Sequence, residues 1–261
     1  MDHNQMVELA RDFARQKPFL KLASLFAPYR AKGFEKVRIG SDADGGYVMI
    51  DDFAGIELAL SFGIDINVDW DLGIAARDIR VQQYDHTVAE APEKHPLLSF
   101  YSKRIAAAGN DENSTSIGYI LDQAGISEEA SAILKIDIES DEWPVFDECD
   151  AAHLAKFSQI LVEFHNFSYS VDHQWLRRAT RVMQKINNNF FVSHVHANNW
   201  SPMAVVGNVY FPDTLEISFA NRARYEPETS DELFPTFLDA PNNPLKPDLY
   251  LGAFRYGEIG R

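Results

Sequence analysis

The chain has 261 residues, 46% of them apolar, and a formal net charge of −15. That much apolar material supports one large core or two small ones. The acidic balance argues against nucleic acid as a partner, because phosphate neutralisation needs clustered Lys and Arg.

The single cysteine, Cys149, excludes an intrachain disulfide and points to a reducing, cytoplasmic location. No stretch reads as a signal peptide or a bilayer span. Three Asn-x-Ser/Thr matches, at Asn113, Asn166 and Asn199, carry no meaning without secretion. Residues 1–40 hold eight Lys/Arg against four Asp/Glu. That basic N-terminus suits peripheral contact with an anionic partner or membrane surface, although a solvated helix face is the plainer reading.

Residues 5–32 read as helical, with Val7, Leu9, Ala10, Phe13 and Ala14 at helical spacing and Pro18 opening a second helix. Asp42 to Gly46 is a turn, followed by a short strand, Tyr47 to Ile50. From Leu58 strands and helices alternate. Strands are expected over 57–63, 79–84, 97–101, 132–138, 158–164, 189–196 and 214–220, and helices over 71–77, 115–126, 141–156 and 171–187. Such alternation favours a mostly parallel sheet with helices on both faces. The connection 197–213 lacks a helix, so the last two strands should pair antiparallel. Residues 226–261 are Pro-rich and acidic, with Leu249, Leu251, Phe254 and Tyr256 able to dock on the body. Three parts follow: a helical extension (1–35), a main domain (36–225) and a packed C-terminal segment (226–261).

Open α/β sheets bind ligands beyond the carboxyl ends of their strands. The strand ending Phe62-Gly63-Ile64-Asp65 delivers a glycine and a carboxylate there, and the next ends on Asp85, spaced to reach ribose hydroxyls. A plain turn and a helix N-cap are the structural alternatives. The strand Ile133 to Ile138 runs out on Asp137 and Glu139, and the following one on Glu163 and His165. His194 and His196 join them if the sixth strand lies near. Each pair shares a face by the two-residue period of a strand. Carboxylate and imidazole together suit Mg²⁺ or Mn²⁺, with Asp137, Glu163 and His165 as ligands. A satisfied structural imidazole is the alternative for any single histidine. Asn198, Asn199 and Trp200 follow in a loop suited either to sugar recognition or to an ordinary turn.

The series Arg38, Asp44-Gly45-Gly46-Tyr47, Ser61-Phe62-Gly63-Ile64, Tyr84-Asp85, Leu134-Lys135-Ile136-Asp137-Ile138-Glu139, Glu142-Trp143 and Glu163-Phe164-His165 resembles the FkbM-type S-adenosylmethionine-dependent methyltransferases. The nearest branch holds the methyltransferase-like 24 proteins. The resemblance spans roughly residues 36–222. It implies an α/β, Rossmann-like class I methyltransferase fold: a mostly parallel seven-stranded sheet with an antiparallel last strand. It also implies S-adenosylmethionine as methyl donor and a hydroxyl acceptor, often on a sugar or natural product. Gly63, Asp65 and Asp85, with Tyr47, would then hold the cofactor. Ser140 stands where the family has glycine after Asp-x-Glu, and Asp65 where a second glycine is common.

The expected reaction is O-methylation of a saccharide or related small-molecule hydroxyl, with Asp137, His165, His194 and His196 as candidate catalytic groups. A divalent metal, or a general base, would lower the cost of losing the hydroxyl proton. Lys103, Arg104, Arg222 and Arg224 are candidate contacts for a nucleotide-linked sugar. Trp175, Trp200 and Tyr210 are candidate platforms for a glycan. The alternatives are a metal-dependent hydrolase built on the same acids and histidines, or a catalytically silent protein of methyltransferase fold.

Overall fold

The computed structural model describes residues 12–126 and 131–257. Seven strands form one sheet: β1 (Leu58–Phe62), β2 (Arg80–Tyr84), β3 (Leu98–Tyr101), β4 (Ala132–Ile136), β5 (Phe157–Phe164), β6 (Phe190–Ala197) and β7 (Leu215–Asn221). Their spatial order is β3-β2-β1-β4-β5-β7-β6. Neighbours from β3 to β5 pair parallel, and β7 runs antiparallel to both β5 and β6. The fold is Rossmann-like, and the order reverses at β1 and β4, the position where such sheets open a ligand crevice.

The sheet is covered on both faces, so β1 and β4 to β7 are buried throughout. One face packs Leu60, Leu134, Ile160, Val162 and Ile217 against helices α1 (Gln16–Ala23), α3 (Ile117–Ala124), α4 (Glu142–Glu148) and α6 (His173–Asn189). The other packs Ala59, Val81, Ile133 and Leu161 against α2 (Asp69–Ala75) and the hairpin of Lys36–Ile39 with Tyr47–Ile50. Alternation puts Asp137, Glu163, Glu216, His194 and His196 all toward this hairpin face.

Three sequence expectations change. Val7, Leu9 and Ala10 lie outside the described residues. Pro18 does not open a helix: it sits in the first turn of α1, where its missing N–H costs nothing. The N-terminal helix stops short of 32, because Tyr29–Ala31 pairs as a strand with Pro227–Thr229. The expected helix 141–156 is two helices, α4 and α5 (Ala151–Leu154), broken where Cys149 and Asp150 turn extended. No helix among the described residues is long and apolar enough to cross a membrane.

The C-terminal segment crosses the β6–β7 edge and is held by buried polar contacts. His194 Nε2 lies 2.8 Å from Asp239, His196 Nε2 3.1 Å from Asp248, and Asn243 N donates to Asn199 Oδ1 at 2.6 Å. Burial lowers the His194 pKa despite Asp239, so the neutral ring donates from Nε2 while Lys36 reaches Nδ1 at 3.3 Å. Burial opposes charge on Asp239, but the His194 hydrogen bond, the nearby imidazoles and the Thr236 amide outweigh it and hold the pKa at about 2. The free carboxyl titrates near pH ~4. Its contribution is therefore complete above that value and is lost as pH falls toward 2. Asp239→Ala is expected to cost about 1–3 kcal/mol by orphaning His194. Limited trypsinolysis should then cut faster at Lys246; an unchanged rate would mean the segment is held by its apolar residues alone.

Candidate active site

The crevice at the strand-order reversal is a cavity of 290 Å³ lined by Gly63, Asp65, Asp85, Asp137, Glu139 and Arg104 among others. Three of the four residues expected to hold a cofactor are therefore brought together beside Asp137. Tyr47 is not among the lining residues. It is buried on the hairpin face, where burial first, then Asp137, Glu163, Glu216 and Asp44, raise its phenol pKa well above the ordinary value. Its strand lies over β5 and β7 instead of at the mouth of β1.

Gly63 is needed for a different reason from the one its sequence context implies. Its φ is +71°, and a Cβ there would lie 1.6 Å from the carbonyl oxygen of Asp137. The β1 and β4 exits thus touch backbone to backbone, and Lys135 Nζ donates to the Gly63 carbonyl between them. Asp85 is also engaged within the protein. Oδ2 accepts from Ile64 N and Asp65 N at 2.9 and 3.0 Å, and Oδ1 from Thr87 N and Oγ1 at 2.7 Å. With those positions filled, Asp85 shapes the β1 loop. A ribose would have to share it.

Beside the cavity, β4 and β5 deliver the acid and imidazole cluster. His165 Nε2 lies 3.2 Å from Glu163, 3.9 Å from Asp137 and 3.8 Å from Glu139, and its Nδ1 lies 3.3 Å from Glu142. Trp143 Nε1 donates to the His165 carbonyl at 2.9 Å and fixes the chain there. Glu142 is the first residue of α4, but it is fully buried, and its Oε1 accepts from Ile138 N and Ser140 N. It ties down the turn after Asp137 as well as facing His165. From the sequence, Glu142 enters only the series that carries the family resemblance, with no part in the site. A glutamate one turn from Asp137 and beside a tryptophan was the available signal.

Burial opposes charge on His165, yet Glu142 and Glu163 outweigh it and push its pKa up to about 11. Burial, and Glu163 next to it, raise the Asp137 carboxyl well above its ordinary range. Burial likewise raises Glu163, against the pull of His165. His165 therefore keeps its proton at neutral pH, and the Asp137 carboxyl holds a proton more tightly than a free aspartate does.

Ligand atoms of Asp137, Glu142 and His165 fall within 4.8 Å of one another. Asp137 Oδ1, Glu142 Oε2, Glu163 Oε2 and His165 Nδ1 are buried without a hydrogen-bond partner among the described residues. Orphaned buried atoms on Asp137, Glu142 and His165, residues whose ligand atoms lie within reach of one another, fit a divalent cation or an incoming hydroxyl. Of the expected ligand set, Asp137 and His165 come together with Glu142, while Glu163 groups with Asp44 and Glu216.

His194 and His196 do not reach this cluster. Strand β7 lies between β5 and β6, so each histidine faces Glu216 or the C-terminal segment instead. Local pattern gave the correct face but not the strand order. Asn198 does reach the site, donating to Glu163 Oε1 at 2.9 Å, whereas Asn199 holds the C-terminal segment. Lys103 and Arg104 line the cavity, while Arg222 bonds the Phe190 carbonyl and Arg224 pairs with Asp52. Trp175 is packed edge-on against Trp143 and Phe167. Trp200 and Tyr210 are exposed.

Asp65 and Ser140 have φ of +43° and +89°, conformations that favour glycine. Both departures from the pattern of the family that the sequence resembles therefore fall where the backbone is left-handed. Ser140→Gly is expected to raise stability by about 1 kcal/mol, read as a higher Tm; a lower Tm would mean that the Ser140 hydroxyl, held by Asn166 Nδ2, outweighs the strain.

A larger cavity of 440 Å³ lies between α3, α4 and α5 and contains Cys149 and His153. Burial raises the thiol pKa to about 12, which leaves no thiolate for chemistry.

No protein-family model matches the chain, and no curated protein does. Among solved structures it is similar to the fibrillarin–Nop5p complex at 10% identity, over 72% of this chain and 93% of that one, with a TM-score of 0.38. It is similar to an S-adenosylmethionine-dependent methyltransferase of Mesorhizobium loti at 11% identity, over 65% and 92%, with a TM-score of 0.34. It is also similar to magnesium protoporphyrin IX methyltransferase of Synechocystis with bound S-adenosylhomocysteine, at 7% identity, over 64% and 76%, with a TM-score of 0.31.

Proposed function

We propose that the protein is an S-adenosylmethionine-dependent O-methyltransferase acting on a hydroxyl of a saccharide or related small molecule. One observation carries the reading: the cavity at the reversal of strand order opens beside a cluster of acids and a histidine equipped for proton transfer. The carboxylates of Asp65, Asp137 and Glu139 at its rim suit a cationic sulfonium and an α-amine. Tyr84, Ile105 and Ile138 supply apolar wall for a purine ring.

In this reading the acceptor oxygen attacks the sulfonium methyl in line, and holding the two together supplies much of the rate. Asp137 takes the hydroxyl proton through its unpartnered Oδ1. His165, held between Glu142 and Glu163, keeps these carboxylates apart and sets a positive charge beside the acceptor. With His165 stripped of its proton, Asp137, Glu142 and His165 would instead hold Mg²⁺ or Mn²⁺, which when bound lowers the pKa of a coordinated hydroxyl. Trp200 and Tyr210 are the exposed rings for a sugar face. Asn198 connects the Trp200 loop to the site, accepting from Trp200 N while donating to Glu163.

The test is binding. S-adenosylhomocysteine is expected to raise Tm, because a ligand of the folded state alone stabilises it by about 2.7 kcal/mol at a hundred times Kd. No shift at millimolar ligand would remove the methyl-transfer reading and leave the hydrolase built on the same cluster.

A further inference from the structure

We propose that His194 is an acid-sensitive latch: a second proton on its ring expels Lys36 and releases the C-terminal segment from β6. The ring is 2% exposed and stands where three parts of the chain meet. Lys36 belongs to the first strand of the hairpin, His194 to β6, and Asp239 and Glu232 to the C-terminal segment.

The polar groups of this junction are matched one to one. The Lys36 ammonium has three N–H groups. They reach the Ser193 carbonyl at 3.2 Å, His194 Nδ1 at 3.3 Å and Glu232 Oε2 at 2.7 Å. An ammonium cannot accept a hydrogen bond, so Nδ1 must keep its lone pair. His194 Nε2 lies 2.8 Å from Asp239 Oδ1 and carries the one ring proton. Asp239 Oδ2 accepts from Thr236 N at 2.6 Å and Thr236 Oγ1 at 2.9 Å. Phe234 closes the junction, edge-on to the imidazole at 5.1 Å and with the ammonium 5.6 Å over its ring. A proton added at Nδ1 would turn N–H toward N–H and set two positive charges 3.3 Å apart in a dry site. That repulsion is relieved when the segment carrying Glu232, Phe234 and Asp239 withdraws and water reaches the ring.

Lys36 faces His194 from the hairpin, Asp239 and, through Lys36, Glu232 from the C-terminal segment, and His196 from its own strand, while β7 places Ser218 opposite. Burial, and then Lys36 and His196, lower the His194 pKa against the pull of Asp239. A released ring titrates near pH ~6.5. Docking is therefore at full strength above that value and weakens as pH falls below it, the release equilibrium rising by up to about tenfold per pH unit. His196 has the opposite sign. Burial opposes its charge, but Asp248 and Glu216 push its pKa up to about 10. Its hold is complete below pH ~6.5 and is lost as pH rises through about 10. The loss at Asp239 begins only near pH ~4. The window between pH ~5 and ~6.5 thus belongs to His194. Release would also undo the contacts of Asn242 with Glu216 and of Asn243 with Asn199. Asn199 adjoins Asn198, which donates to Glu163, so acid would reach the crevice through the segment. This inference does not rest on methyl transfer.

Hydrogen exchange of the full chain at pH ~6.5 and ~5, read as protection factors so that the chemical rate divides out, tests it. The amides to follow are those of Thr236, Asp239 and Asn243, bonded to Asp239, Thr236 and Asn199. Their protection is expected to fall over that window by about threefold or more relative to His194→Gln. Glutamine keeps a donor for Asp239 and does not titrate. The amides that pair β5 with β7 should stay protected. Protection in the unmodified chain that does not fall with acid would overturn the latch, and so would an equal fall in His194→Gln. A fall shared by β5 would also overturn it, since that is global unfolding. Nitrogen NMR of the imidazoles in the unmodified chain needs no variant. A neutral His194 ring protonated at Nε2 is expected at neutral pH; a ring protonated at Nδ1, or already charged, would sink the proposal.

Discussion

Asp137→Asn is expected to lower turnover by about 10²- to 10⁴-fold, the usual contribution of a positioned proton acceptor. Cofactor binding should persist, because Asn keeps the shape of the side chain and the carbonyl that Gly63 packs against belongs to the backbone. The Tm should not fall. Burial and the neighbouring Glu163 already disfavour the charge on Asp137, and a neutral isostere removes that conflict. Sites that hold such groups commonly gain stability when they lose function. Single-turnover kinetics beside a melting curve separate the two effects. Wild-type turnover in Asp137→Asn would move the chemistry elsewhere, and Glu163→Gln would be the next variant to measure.

Gly63→Ala is expected to be the most damaging single substitution for the fold around the site. The added methyl would fall 1.6 Å from a backbone oxygen, at a φ of +71° that side chains avoid. Nothing flexible stands there to yield. Overpacking and the left-handed backbone together should cost about 3–5 kcal/mol, a fall in Tm of about 10 °C. Binding of S-adenosylhomocysteine should vanish with it, since β1 and β4 would have to part. Gly109→Ala is the control. Its φ is +86°, but the space around it is open, so it should cost only about 1 kcal/mol. Equal losses from both would assign the effect to backbone conformation and not to the meeting of the two strand exits.

The strands were legible because nearly every one is a short β-branched or aromatic run bounded by turn residues. β4 and β5 show this most plainly, with Asp137 and His165 at their ends. The antiparallel β6–β7 pair followed from the missing crossover helix. The faces followed from the two-residue period. Strand order did not follow, because it depends on which edges meet after the chain has left each strand. His194 and His196 lie on the expected strand and face, but β7 separates that strand from β5 for that reason. Partners distant in sequence were equally hidden. Nothing near His196 announces Asp248, 52 residues on. Glu216 did leave a trace: it is the one charged side chain in Leu215–Asn221, all of which is buried. The left-handed backbone at Asp65 and Ser140 was foreshadowed only by the glycines of the family that the sequence resembles, which local composition could not have supplied.

The cover over β6 and β7 comes later in the chain than what it covers. Without that cover His194, His196 and Glu216 would face water. Their final surroundings arrive only when Asp239, Asn242 and Asp248 emerge. The polar groups of β6 and β7 thus depend on the last part of the chain for their dry surroundings.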